Sequence, residues 1–363
     1  MKKFKNISRK KKNVLGLCLI LALACVIVII LKFNTSDSTI RQDFHITDIE
    51  NITQLVIKDG NGRKLTLDKV ADTMWRVNGQ FDANMTLVGA VLGTLKDMRI
   101  REPLPKAARN NVIKDLATTG RTLDVYMQDY AVNILFLKLF KKQKLKYTYF
   151  IGHETPDEMG TFMLRKGDKN PYVIYIPNFR GYLSTRFNTE EDLWRSHTVF
   201  NYKQSEIDSV KIEIPDNVKE NYTLVNNGKG FSFLDAEGRN MEFDTTKVIA
   251  FLSSFVEMNY ERTAVNITDI ERDTIFTKPP AFIITLKDKK GESSMLSTFV
   301  KLTDPSSIAK NDKDFYNIFD INRCYAISSR LKDTVVMQFF VLDNVLKPAS
   351  YFKPGADGLP YIK

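Results

Sequence analysis

Val88-Gly89-Ala90-Val91-Leu92-Gly93-Thr94-Leu95-Lys96-Asp97-Met98 aligns without a gap on Val248-Ile249-Ala250-Phe251-Leu252-Ser253-Ser254-Phe255-Val256-Glu257-Met258. In both stretches apolar residues fall at relative positions 1, 5, 8 and 11, the spacing of one buried helix face. Valine, alanine, leucine and methionine are identical at four places, and Asp97 matches Glu257 in charge. The lead-in to each helix matches as well. Ile52-Thr53-Gln54-Leu55-Val56-Ile57 parallels Ile207-Asp208-Ser209-Val210-Lys211-Ile212, each an alternating strand. Leu65-Thr66-Leu67 and Trp75-Arg76-Val77 then correspond to Tyr222-Thr223-Leu224 and Phe231-Ser232-Phe233. A pattern that repeats within one chain predicts two copies of one unit. Some 300 residues also exceed the comfortable size of a single core.

The rest of each copy reads as strands. In the first they are Thr122 to Met127, Asn133 to Phe140, Lys146 to Ile151, Thr161 to Arg165 and Tyr172 to Ile176. In the second they are Phe282 to Leu286, Met295 to Lys301, Asp314 to Ile318 and Cys324 to Ser328. Asn188 to Trp194 and Lys332 to Val336 read as closing helices, each with a polar cap candidate. The expected fold class is therefore α+β: two similar domains, 49–200 and 201–349, each a twisted, mainly antiparallel sheet with packed helices, then a tail over 350–363.

The N-terminus obeys different rules. Lys2, Lys3, Lys5, Arg9, Lys10, Lys11 and Lys12 crowd residues 1–13 with no acid among them. Val14 to Leu31 then carries no charged side chain, and at about 1.5 Å per residue it nearly spans a hydrocarbon core of about 30 Å. Basic residues before an apolar run predict a cytoplasmic tail, a transmembrane helix over 14–33 and an exported remainder joined by a polar tether over 34–48. A secretory signal has the same order, but no small-x-small cleavage site follows the run. Leu21-Ala22-Leu23-Ala24-Cys25 approximates a lipidation site; Leu23 is bulky for it, and Val26 to Leu31 stay apolar where a mature lipoprotein turns polar.

The same segment explains the composition. Net charge is +10, yet setting aside residues 1–13 and Lys32 leaves +2 for the rest. The basic balance is a topology signal, and nucleic acid is rejected as a partner. Cys18 and Cys25 fall in the apolar run, so Cys324 alone belongs to the body and no internal disulfide or C-x-x-C site is available. Its strand-like surroundings predict a small buried hydrophobe.

Candidate chemistry is sparse. There are three histidines, and no nucleophile elbow, H-E-x-x-H helix, P-loop or dinucleotide fingerprint. His153, Glu154, Asp157 and Glu158 gather an imidazole and three carboxylates within six residues, a set suited to a divalent cation. Pro156-Asp157 between Gly152 and Gly160 equally makes a turn, and that reading is preferred, with no metal or cofactor expected. Carboxylates such as Glu190, Glu191 and Asp192, or Asp269 with Glu271, follow no spacing that would nominate an acid–base pair, so no catalytic residue is assigned. Lys141-Lys142-Gln143-Lys144-Leu145-Lys146 reads as a basic hairpin tip, solvated or touching anionic lipid headgroups. Pro177 to Phe187 is a loop with three aromatics and two arginines around Gly181. Phe179, Arg180, Tyr182 and Arg186 are its candidate partner-binding residues, because aromatic and arginine side chains anchor interfaces. The competing expectation is that Tyr182, Leu183 and Phe187 pack under the loop and seal the domain junction.

Trp75, the helix Val88 to Met98, Tyr149-Phe150-Ile151-Gly152, Thr155-Pro156-Asp157, Gly160-Thr161-Phe162, Tyr172-Val173-Ile174-Tyr175 and the Phe179 to Phe187 run together resemble the bacterial domain of unknown function 4340 family, in the version found in Bacteroidota. The likeness spans roughly 49 to 345. It implies an inner-membrane-tethered, periplasm-facing accessory protein, of a kind encoded beside ABC-type transport components linked to gliding motility. It brings no catalytic residues. The resulting expectation is a non-catalytic module that binds an envelope protein partner. An envelope hydrolase or small-ligand binder using the cleft between the domains, and a structural spacer, are the alternatives.

Overall fold

A computed structural model of the chain describes residues 18, 20–25, 44–134, 137–265, 267–303 and 319–356. Most of the apolar run 14–33 lies outside them; residues 20–25 are helical and exposed. Among the described residues no helix is long and apolar enough to cross a membrane. The basic tail, residues 34–43 of the tether and the expected strand Asp314 to Ile318 also fall outside.

The first half comprises β1 (Ile52–Lys58), β2 (Lys64–Ala71), β3 (Met74–Val77), β4 (Phe81–Asp82), α1 (Met85–Asp97), β5 (Arg99–Pro103), α2 (Lys106–Thr118), β6 (Arg121–Ile134), β7 (Leu137–Glu154), β8 (Thr161–Arg165) and β9 (Tyr172–Tyr175). A single turn, α3 (Glu191–Trp194), and β10 (Thr198–Phe200) lead into the second half. There follow β11 (Ile207–Glu213), β12 (Tyr222–Asn226), β13 (Phe231–Leu234), α4 (Thr245–Ser253), β14 (Met258–Asn259), β15 (Arg262–Thr263), α5 (Asp269–Ile275), β16 (Phe282–Asp288), β17 (Ser293–Leu302), β18 (Phe319–Ser328), β19 (Val335–Gln338) and α6 (Phe339–Leu342). The fold is α+β with antiparallel sheets.

Strand order is the same in both sheets apart from β4, an extra edge strand in the first. The first runs β4-β3-β2-β1-β6-β7-β8-β9-β5 and the second β13-β12-β11-β16-β17-β18-β19-β15. In the first half β5, which follows the long helix, crosses to the far edge and pairs with β9, as Ile100 with Ile174; in the second β14 first pairs with β10 in a separate two-stranded sheet, and β15 then crosses to pair with β19, as Thr263 with Val335. Strand alternation then loads both faces. Tyr149, Ile151 and Met163 point to the main first core under α1, whereas Phe150, Phe162 and Leu164 meet Val112 and Leu116 of α2 on the other face. In the second sheet Cys324, Ala326, Val335 and Met337 face α4, while Tyr325 and Val336 face Ile275 of α5.

The long helices are held at both ends in matching ways. Asn84 caps α1 by accepting from the Thr86 and Leu87 N–H groups, and Asp244 caps α4 from Thr246 and Lys247. The cap residues' own N–H groups donate to carbonyls from the end of each half, Asn84 to Trp194 and Asp244 to Phe352, both at 2.7 Å. At the other end, the residues before the first strand close the clamp: Ile46 N–H donates to Leu95 O and Tyr202 N–H to Phe255 O. Phe44 and Ile46 are thus core residues at the close of the expected tether, and the second core extends past residue 349 to Phe352.

Several expected elements differ. The lysines 141–146 form no turn: they lie within β7, with Lys144 opposite Met127 and Lys141 opposite Tyr130. The expected strand Asn133 to Phe140 is split across the hairpin, Asn133 and Ile134 ending β6 and Leu137 to Phe140 opening β7, which runs on through Lys146 to Ile151. Lys332 to Val336 is not a helix, because Val335, Val336 and Met337 are buried and pair with Ala326, Tyr325 and Cys324; β-branched residues fit such a pleated surface better than a helix. Only the last turn of Asn188 to Trp194 is helical. Helices α2 and α5 were not expected. The first buries only Val112 and Leu116, too narrow a stripe to register as periodicity, and Gly152 admits it: a Cβ there would stand 3.0 Å from Leu116 Cδ2 and 3.2 Å from Phe162 O.

Phe352 sits with its ring centroid 5.2 Å from Tyr222, 5.0 Å from Phe233 and 5.3 Å from Phe251, and is fully buried. Phe352→Ala, although close to the C-terminal end, is expected to lower the unfolding free energy by about 3–5 kcal/mol, measured by denaturant titration.

Candidate functional site

The junction of the two halves is built from residues 188–197, whose side chains alternate in allegiance. Trp194 is buried in the first core and its indole N–H donates to Asn188 O. Glu191 accepts from the Asn78 amide of the first half and pairs with Arg195. Asp192 accepts at 2.9 Å from the Thr263 hydroxyl of the second half. The His197 ring stacks on Tyr260 at 4.4 Å and donates from Nε2 to Asp192 O, a carbonyl, which fixes its tautomer.

Arg195 is the central brace. Its guanidinium bonds Glu191 and, at 2.6 Å, Asp333 of the second half, and lies 3.4 Å from the centroid of Phe81 of the first. Burial works against its charge, but the bonds to the two carboxylates carry its pKa above the ordinary arginine value. Burial likewise pushes the Tyr260 hydroxyl up to about 12, with the Asp192 charge adding to the effect.

Beside this brace opens a cavity of about 380 Å³, bounded by Arg76, Phe81 and Asp82 from the first half and Tyr260, Arg330 and Lys332 from the second. Of its carboxylates, Asp333 is held by Arg195 and Asp82 stands 3.9 Å from Arg76. Arg330 and Lys332 instead lie near aromatic rings, 5.5 Å from Tyr202 and 5.8 Å from Phe81. The cavity is cationic and aromatic-walled, suited to an anion, and holds no pair of free carboxylates for acid–base work. Glu271, another nominee, is committed as a capping-box residue with Thr268 and accepts from Tyr325 at 2.7 Å.

The aromatic–arginine loop lies elsewhere. Leu183 and Phe187 are fully buried in the first core rather than at the junction, and Leu183 N–H donates to the Thr161 hydroxyl at 2.7 Å. Arg186 straps the loop to α1 through Thr94 Oγ1 at 2.7 Å and places its Cζ 4.6 Å from the Phe179 centroid. Gly181, at φ 131°, turns the chain where a Cβ would stand 3.3 Å from the Phe179 ring. Phe179 and Arg180 face solvent, and Tyr182 is half-buried. At the loop's far end Thr189 donates to Asp59 at 2.8 Å; burial would raise that carboxyl, but bonds from Thr189 and Arg63 outweigh it and lower it to about 2.

His153 and Glu154 end β7, and residues 155–160 make the turn into β8. Asp157 accepts from Thr155 Oγ1 and the Met159 N–H and pairs with Arg101 at 2.8 Å, and the Arg101 bond holds its carboxyl well below the usual range. Glu158 takes a left-handed φ of 56°, and His153 Nε2 meets Thr119 Oγ1 at 3.0 Å. Among the described residues no group of three or more metal-type side chains converges. Cys324 is 2 % exposed, and burial pushes its thiol up to about 12.

The profile of a family described as Domain of unknown function (DUF4340) matches residues 75–279. The chain belongs to this family. The DUF4340 match begins at Trp75, takes in both long helices and the whole 188–197 junction, and ends before β16. No curated protein and no solved structure matches the chain.

Two outcomes follow for this DUF4340 chain. Arg195→Gln should cost about 2 kcal/mol, and a double-mutant cycle with Asp333→Asn should give a coupling of about 0.5–1 kcal/mol, reduced by the exposure of that carboxylate. A thiol reagent should leave Cys324 unmodified in the native chain and react with it only at the rate of unfolding, followed by intact mass.

Proposed function

We propose that this chain is a membrane-anchored, extracytoplasmic accessory protein that binds an envelope partner and does not transform a substrate. The observation that carries this reading is the aromatic–arginine loop: Phe179 is presented to solvent on a backbone fixed by Arg186, Gly181 and the buried Leu183. An exposed aromatic held in one place loses little freedom on docking, which favours its use as an anchor. The basic N-terminal residues and the apolar run 14–33 support a single pass through the inner membrane with the N-terminus cytoplasmic and the body periplasmic. The Bacteroidota-type resemblance supports an ABC-type transporter or a gliding-related complex as the partner.

A second reading is supported by the junction cavity, whose Arg330 and Lys332 face it together with Phe81 and Tyr260. There the chain acts as a small-anion binder.

The partner reading is tested by crosslinking in native membranes followed by mass spectrometry. Wild-type protein should recover one specific envelope protein, and Phe179→Ala with Arg180→Ala should reduce its recovery about thirtyfold, the loss expected for one interface anchor of about 2 kcal/mol. Recovery of abundant neighbours alone, unchanged by the substitutions, would sink the reading.

A further inference from the structure

The β6–β7 hairpin outgrows its sheet. On one side β1 reaches β6 no further than Met127; on the other β8 reaches β7 no nearer the tip than Tyr149, with Lys166 N–H donating to Thr148 O beside it. Residues 128–134 of β6 therefore pair only with β7. Seven strand residues at about 3.4 Å each make an overhang of about 24 Å. A lone two-stranded ribbon is marginally stable in water, so an arm of this length calls for a surface to lie on.

Its charge identifies the surface. Residues 128–146 hold Lys138, Lys141, Lys142, Lys144 and Lys146 against the single acid Asp129, a net +4. Since residues 34–363 without this stretch's contribution would total −2 rather than +2, the arm concentrates all the net positive charge of the body. Lys141, Lys142, Lys144 and Lys146 are all exposed. Four exposed lysines along one strand suit a surface of anionic headgroups. Reach agrees. Phe44, where the tether joins the body, packs on Tyr149 at the base of the arm, 5.2 Å between ring centroids. The ten residues 34–43 extend to at most about 35 Å.

We propose that the β6–β7 arm is a second membrane contact of this chain, lying on an anionic lipid surface through Lys141, Lys142, Lys144 and Lys146. It rests on the reading of residues 14–33 as a membrane anchor and adds a surface that the anchor alone does not require. The competing role for these lysines is to keep two open strand edges from pairing with another chain, and that role needs no lipid.

The test is hydrogen exchange of the full chain in nanodiscs of phosphatidylcholine, with and without phosphatidylglycerol. Amides of residues 127–147 should be protected in the anionic discs and exchange freely in the zwitterionic ones. Lys141→Glu with Lys142→Glu and Lys144→Glu should weaken that protection by more than about tenfold while exchange in β11–β13 stays unchanged. Equal exchange in both lipids, protection that survives the charge reversals, or protection that arises only on adding membrane protein extract overturns the proposal. Retention in zwitterionic discs reports on the anchor separately. Where retention fails, the anchor reading falls, and binding of the same chain to phosphatidylglycerol vesicles, lost on charge reversal, decides the arm.

Discussion

Each half depends on one arrangement, a helix clamped from both extremes of its own segment. The carbonyl of a buried closing aromatic, Trp194 or Phe352, takes the N–H of the helix cap, and the residues leading into the first strand donate to Leu95 O or Phe255 O at the other end. Buried backbone groups must be paired, and here the pairing couples the first and last residues of a half through the helix between them. Neither clamp is complete without both ends of its half. The aromatic that supplies the carbonyl also fills the core: Trp194 is 2 % exposed and Phe352 is buried among Tyr222, Phe233 and Phe251. Hydrogen bond and packing are therefore lost together.

The periodic parts of this plan were legible in the amino-acid pattern. The stripe Val88, Leu92, Leu95, Met98 and its counterpart Val248, Leu252, Phe255, Met258 marks two helices because burial on one face imposes that spacing. The second helix stops at Ser253, where the Ser253 and Ser254 hydroxyls donate back to Ile249 O and Ala250 O. What stayed hidden were contacts distant in sequence. Helices α2 and α5 cover the second face of each sheet with few side chains, and the pins from Trp194 and Phe352 are backbone bonds that leave no signature in side-chain type. The lysine run misled for a related reason, since exposed lysines suit a turn and an open strand edge equally. Of the candidate site, the exposure of Phe179 and Arg180 was foreseeable from composition. The strap from Arg186 to Thr94 and the brace at Arg195 were not, because each joins segments far apart in the chain.

The junction shows how charge serves architecture here. Arg195 meets a carboxylate from each side and an aromatic face at once, and Asp192 and His197 continue the seam. Committed this way, the ionisable groups orient the halves and are poor candidates for moving protons, since an acid or base must be free to change its charge. The cavity beside the seam carries Arg330 and Lys332 in its wall. The seam thus fixes the spacing of the surfaces that the two halves present.

The shared strand order makes it possible to ask where the halves differ: β4 has no counterpart, the β17–β18 connection is longer than β7–β8, and two further differences fall in the arm and the aromatic–arginine loop. The β16–β17 connection is a tight turn at residues 289–292, whereas its counterpart β6–β7 runs on as an arm. In the first half the link from β9 to Trp194 carries Phe179, Arg180, Tyr182 and Arg186, whereas in the second the link from β19 to Phe352 opens with α6. Features common to both halves are explained by the clamp and the two covered faces, which every copy needs in order to fold. Additions to a common plan have no such explanation, because the other half folds without them. In repeat architectures such additions gather on binding faces. Arm and loop both belong to the first half, the one in which Phe44 packs on Tyr149 at the base of the arm.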